Sequence, residues 1–155
     1  MRTLYTAQAH VTGGRQRGHG RTTDGVLDVQ LRPPRELGGE GGGTNPEQLF
    51  AIGYAACFEA AMAIAAQRLK VPVEQVADVA IDAKVSLIPT GERALVLGVE
   101  LAVALPSVDD AEQAAALVRG AHAICPYSNA TRGNIDVALS VNGITLERDG
   151  QRQAA

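Results

Sequence analysis

Residues 44–70, TNPEQLFAIGYAACFEAAMAIAAQRLK, decide the fold. Thr44 and Glu47 stand at capping-box spacing, and Pro46 takes an early helical position where its missing amide proton costs little. The spacing predicts a helix running to about Lys70 and stopping before Pro72. Its apolar stretch, 50–67, is mostly Ala and Gly and carries Glu59 in the middle. A carboxylate there is expensive in lipid and suits a packed soluble helix, so no membrane span is expected.

On the N-terminal side, 4–11 alternate well enough for a strand, broken by Thr12-Gly13-Gly14. Asp24-Gly25 is a turn signal, and the strand formers at 26–31 follow it. Arg32-Pro33-Pro34 ends that small sheet, and 38–43, all Gly except Glu40, reads as a loop.

On the C-terminal side, 76–88 and 94–105 are β-rich and flank the turn residues Pro89-Thr90-Gly91-Glu92, which makes a long hairpin. Ser107-Val108-Asp109-Asp110 repeats the capping-box logic. Ala111, Ala114, Ala115, Val118, Ala121 and Ile124 then recur at helical spacing up to Cys125, where Pro126 stops the helix. A strand at 135–141 and the Asn142-Gly143 turn complete the pattern, and the tail after Glu147 is polar. Strands interrupted by two substantial helices predict an α+β layer fold, with antiparallel sheets packed on a central long helix and a second helix. One domain over 1–147 and a polar tail over 148–155 are expected, without internal repeats or low-complexity segments.

Composition narrows the function. The 155 residues, 46% hydrophobic and 20% charged, are ordinary for one globular domain. A net charge of −3, with no run of Lys and Arg, leaves nucleic acid without an electrostatic footprint. The N-terminus turns polar too soon for a signal peptide, so a cytoplasmic location is expected. Three Tyr, two Phe and no Trp provide no aromatic stacking platform. His10 and His19 are not a helical ligand pair, and no C-x-x-C or H-E-x-x-H pattern occurs, so no metal is expected.

Two cysteines in a reducing compartment do not make a disulfide scaffold; if they pair, they pair transiently. Cys57 lies mid-helix, where neither helix end lowers its pKa, so a reactive Cys57 needs a cation. Its neighbours one turn away, Gly53, Tyr54, Ala60 and Ala61, include three small residues that leave room for a substrate or for another helix. Cys125 is placed at the carbonyl-rich end of the second helix, which disfavours a thiolate. The asymmetry suits one thiolate that attacks oxygen and a second thiol that condenses with the sulfenic acid, but two inert core thiols would read the same way. His122, three residues before Cys125, suggests a competing Cys-His pair, although no orienting Asn or Asp is indicated.

The run from Gly41-Gly42-Gly43-Thr44-Asn45-Pro46-Glu47-Gln48-Leu49-Phe50 through Gly53-Tyr54-Ala55-Ala56-Cys57-Phe58 resembles the first-cysteine motif of the organic hydroperoxide resistance (Ohr) proteins. Cys125-Pro126-Tyr127-Ser128-Asn129-Ala130-Thr131-Arg132-Gly133-Asn134-Ile135-Asp136-Val137 resembles their second. Leu4-Tyr5-Thr6-Ala7 and Thr12-Gly13-Gly14-Arg15 resemble the family's opening, and the likeness spans 3–141. The Tyr-Ser-Asn-Ala-Thr-Arg-Gly-Asn run favours Ohr over the related OsmC branch. The resemblance implies an OsmC/Ohr-like fold and an intertwined homodimer with shared active sites. It also implies a thiol-dependent peroxidase without cofactor or metal, acting on alkyl and fatty-acid hydroperoxides. A dithiol, typically a lipoyl-bearing protein, would return the electrons.

Carried over by position, Cys57 is the peroxidatic and Cys125 the resolving cysteine, while Arg15 and Glu47 match the family's charged pair. Arg15 would stabilise the thiolate and Glu47 would aim the guanidinium. Arg17 is a rival on the same strand side, but Arg15 alone completes Thr-Gly-Gly-Arg. Glu47 also has a purely structural reading as the capping-box acid. On one straight helix it lies ~15 Å along the axis from Cys57, so the two cannot touch. Either the helix bends or begins late, or Arg15 and Glu47 of one subunit complete the site of the other. Phe50 and Tyr127 could line an apolar substrate pocket or simply pack in the core. Ile52, Glu59 and Glu40 depart from the family pattern. The non-catalytic alternatives are a redox switch built on the same cysteines and a binder of small apolar ligands.

Overall fold

The computed structural model describes residues 2–14, 16–91 and 94–149, which fall into two compact units, 1–49 and 50–155. Arg15 lies outside the described residues.

The first unit holds a three-stranded antiparallel sheet of β1 (Ala9–Thr12), β2 (Gly18–Thr22) and β3 (Asp28–Leu31), in the order β1-β2-β3. Gly13 and Gly14 at the first turn and Gly25 at the second have positive φ, which side-chain-bearing residues resist. The strand expected over 4–11 is confined to β1. Leu4 and Tyr5 find no partner strand among the described residues and are 93% and 80% exposed. A 3-10 turn, Arg35–Leu37, leads through the glycine loop to the start of α1 (Pro46–Leu69).

The expected Thr44–Glu47 capping box does not form. Asn45, itself buried, accepts the Gln48 N–H on its Oδ1 at 2.9 Å, and the Thr44 hydroxyl goes to the Gln48 side chain at 2.9 Å. Cap and partner keep the three-residue spacing but shift by one position, because Pro46 at the first helical position makes Asn45 the preceding residue. At its other end α1 closes with Lys70 in the left-handed region (φ 57) and with Val71 N–H donating to Ala66 C=O at 2.9 Å.

The second unit packs helices on one four-stranded sheet. Its strands are β4 (Ala80–Thr90), β5 (Ala94–Ala104), β6 (Asp136–Val141) and β7 (Ile144–Asp149), in the order β4-β5-β6-β7. The two outer pairings are antiparallel, as expected, but β5 and β6 run parallel. The crossover that parallel pairing requires is supplied by α2 (Ala111–Ile124) and α3 (Pro126–Thr131). Alternation along a strand carries no information on its direction, so this pairing was invisible in the sequence.

Three boundaries also shift. Val73–Val76 forms a 3-10 turn, so β4 begins at Ala80 and not at Val76. Asp110, not Ser107, caps α2 by accepting the Glu112 and Gln113 N–H groups, while Ser107 bonds Asp78. β7 continues through Arg148 and Asp149, two residues into the segment read as tail. The Asn142-Gly143 turn forms as read, with φ of 48 and 81.

The core joins Tyr54, Phe58 and Met62 of α1 to Val99 and Leu101 of β5, Val137 and Leu139 of β6, and Leu117 and Val118 of α2. A Cβ on Gly120 would lie 3.3 Å from Ala65 Cβ, so small residues let α1 and α2 approach closely. By length and composition alone α1 could cross a membrane, but these contacts make it a core helix.

Candidate active site

Cys57 occupies the middle of α1, half-buried, and Cys125 follows α2, completely buried. Their sulfurs are 3.4 Å apart, both thiols free. A sequence separation of tens of residues is thus closed by the fold to within a small movement of the ~2.05 Å disulfide bond.

Cys125 is not merely the end of α2. It also caps α3, whose first residue is Pro126, in an extended conformation (φ −61, ψ 124). The expected place at the end of α2 holds, and a second helix opens at the same residue. Cys125 is also completely buried, where Cys57 is half-buried. The short helix was missed because its six residues show no apolar period; Pro at its first position was its one local signal.

Burial pushes the Cys57 thiol up from its ordinary value. The Tyr127 backbone N–H, directed at the sulfur, pulls it down, and the nearby Cys125 thiol raises it further. Net activation must come from a cation. Arg15 is outside the described residues, and Arg17 is exposed. Glu47, in the first turn of α1, has no ion-pair partner among the described residues, and its carboxylate is not the helix cap. α1 begins at Pro46 and runs on through Cys57, so the late start does not occur.

Phe50, Tyr54 and Tyr127 cluster with ring centroids 5.6–5.9 Å apart. Tyr127 is 38% exposed and lies over Gly53: a Cβ there would be 2.9 Å from the Tyr127 hydroxyl. The surface of α1 at Gly53 is therefore not empty: it seats an aromatic ring. Sequence reasoning missed the buried polar group behind this cluster. The Tyr54 hydroxyl meets Ser128 Oγ and Thr131 Oγ1 at 3.1 Å each, and Ser128 Oγ lies 2.9 Å from His122 Nδ1. His122 is thus engaged with Ser128, which weakens its candidacy as a base for Cys125. His19 bonds Asp28 at 2.6 Å, and no cluster of potential metal ligands occurs among the described residues.

The OsmC-like protein family model matches residues 39–140. An organic hydroperoxide resistance protein of Xanthomonas axonopodis pv. citri is 55% identical over 145 residues, covering 90% of this chain and 96% of the relative. Among solved structures, an organic hydroperoxide resistance protein from Legionella pneumophila superposes with a TM-score of 0.83 at 53% identity, covering 90% of this chain and 98% of the other. The protein OhrB of Bacillus subtilis does so with a TM-score of 0.79 at 42% identity, covering 90% and 99%.

Proposed function

The chain belongs to the OsmC family, in its organic hydroperoxide resistance branch, and from that premise we propose that it reduces organic hydroperoxides to alcohols with Cys57 and Cys125. The Cys57 thiolate attacks the distal peroxide oxygen, the O–O bond breaks, and the alcohol leaves after taking a proton. Cys57 is then a sulfenic acid. Cys125 condenses with it, releasing water and leaving a Cys57–Cys125 disulfide that an external dithiol, in our reading a lipoyl-bearing protein, reduces. The observation that carries this reading is the 3.4 Å sulfur separation between a half-buried and a fully buried thiol.

In this mechanism Arg15 supplies the cation that Cys57 lacks, and the Glu47 carboxylate, free of capping duty, aims it. Phe50 and Tyr127 offer an apolar wall to the alkyl tail. The protein acts as a homodimer in the cytoplasm. α1 supports the dimer: its outer face exposes Ile52, Ala56, Ala60, Ala63 and Ile64 with one charge, Glu59, among them, and Leu4 and Tyr5 lack a partner strand among the described residues. Arg15 and Glu47 of one subunit complete the site of the other. A Cys57→Ser chain mixed with an Arg15→Ala chain should then regain activity, and a mixed dimer that stays inactive counts against shared sites.

Stopped-flow oxidation of the reduced protein tests the chemistry. Fast turnover of a bulky organic peroxide with dithiol, slower use of hydrogen peroxide, and loss of both on Cys57→Ser are expected. A stoichiometric disulfide without turnover would instead mark a redox switch, and binding without oxidation a ligand carrier.

A further inference from the structure

Tyr54 precedes Cys57 by one turn of α1 and is completely buried, hydroxyl included. That hydroxyl bonds Ser128 Oγ and Thr131 Oγ1, the two buried residues of α3. A sealed hydroxyl deprived of its partners keeps its desolvation cost, so these bonds hold α3 in one register against α1. The other side of this segment is tied to α2: His122 Nδ1 meets Ser128 Oγ, and the Arg132 guanidinium donates to the His122 carbonyl at 3.0 Å.

Among the described residues, the two groups that reach the Cys57 sulfur belong to this tethered segment. Cys125 is the residue before α3, and the Tyr127 N–H comes from its second position. The helix that bears Cys57 therefore also bears, one turn away, the hydroxyl that fastens the opposing thiol.

We propose that Tyr54 is a positioning residue for disulfide closure, fixing the Cys57–Cys125 separation through Ser128 and Thr131 so that closure outruns further oxidation. The inference rests on the reading that Cys57 becomes a sulfenic acid. In closure, the Cys125 sulfur attacks the Cys57 sulfur, an S–S bond forms, the S–O bond breaks, and the oxygen departs as water with the hydroxyl proton and the thiol proton. In the competing step a second hydroperoxide gives its distal oxygen to the sulfenic acid, forming a sulfinic acid and an alcohol. Closure needs the sulfurs to move from 3.4 Å to disulfide distance, and it depends on α3. The first oxidation takes place on α1.

The test compares wild type, Tyr54→Phe, Thr131→Ala and Thr131→Ser as full-length proteins, oxidised with cumene hydroperoxide. A dimedone-type probe traps sulfenic acid, and intact mass distinguishes disulfide from sulfinic acid. For Tyr54→Phe the second-order peroxide step should stay within about threefold of wild type, while closure slows about tenfold and sulfinic acid accumulates with peroxide dose. Thr131→Ala should slow closure less, and Thr131→Ser, which keeps the hydroxyl, should restore it. Closure by Tyr54→Phe at the wild-type rate, or an equal fall in both steps, overturns the inference. If Tyr54→Phe does not fold, Thr131→Ala against Thr131→Ser decides by the same readout. A wild-type chain that never oxidises at Cys57 overturns the functional reading and this inference with it.

Discussion

Asn45 Oδ1 accepts the Gln48 backbone N–H at 2.9 Å, and that bond relieves Glu47, which lies between them, of any capping role. Stability and activity should therefore separate at adjacent positions. Asn45→Ala should cost about 1 kcal/mol in denaturant unfolding, the usual loss of an N-cap. Glu47→Gln, an isosteric change at a half-buried carboxylate with no ion-pair partner among the described residues, should shift stability by less than ~0.5 kcal/mol, yet sharply reduce peroxide turnover. Equal losses of stability in the two variants would return Glu47 to the cap.

The Cys57 thiol is raised by burial, and the proposed Arg15 guanidinium would lower it. Alkylation by iodoacetamide follows the thiolate, so its rate rises with pH through the Cys57 pKa. In wild type the midpoint should fall below the ordinary free-cysteine value of about 8.5, and Arg15→Ala should move it above. The linked stability has a definite sign. A folded-state pKa above the unfolded one favours the protonated native form, so in Arg15→Ala this contribution is complete below the unfolded value and is lost as pH rises through the folded one. A midpoint unchanged by Arg15→Ala would remove Arg15 from the mechanism.

Gly53 seats the Tyr127 ring. Gly53→Ala should gain roughly 1 kcal/mol of helix propensity, but its Cβ would meet the Tyr127 hydroxyl at 2.9 Å and force the ring aside. Thermal unfolding should show little net change, whereas the ratio of kcat/KM for cumene hydroperoxide to that for tert-butyl hydroperoxide should shift. An unaltered ratio would mean that Tyr127 does not touch the alkyl group.

Lys70 ends α1 at φ 57, a conformation that costs a side-chain-bearing residue more than it costs Gly. Lys70→Gly should raise unfolding stability by about 0.5–1 kcal/mol, without effect on peroxide turnover. A loss of stability would show that the flexibility Gly adds to the unfolded chain outweighs the relieved strain.

By itself the sequence determined the elements governed by neighbouring residues. Pro46 and Pro72 bracket α1, Pro126 ends α2, and Asn142-Gly143 turns β6 into β7. The two long cysteine motifs were enough to indicate the family. These signals are local, arising from backbone geometry and side-chain spacing within a few residues. Tertiary structure alone decided that β5 and β6 run parallel, that Cys125 joins two helices, and that Cys57 meets it at 3.4 Å. It alone assembled the Tyr54, Ser128 and Thr131 hydroxyls around α3. Strand direction and the meeting of distant side chains depend on how separate surfaces are buried together, which no spacing along the chain records.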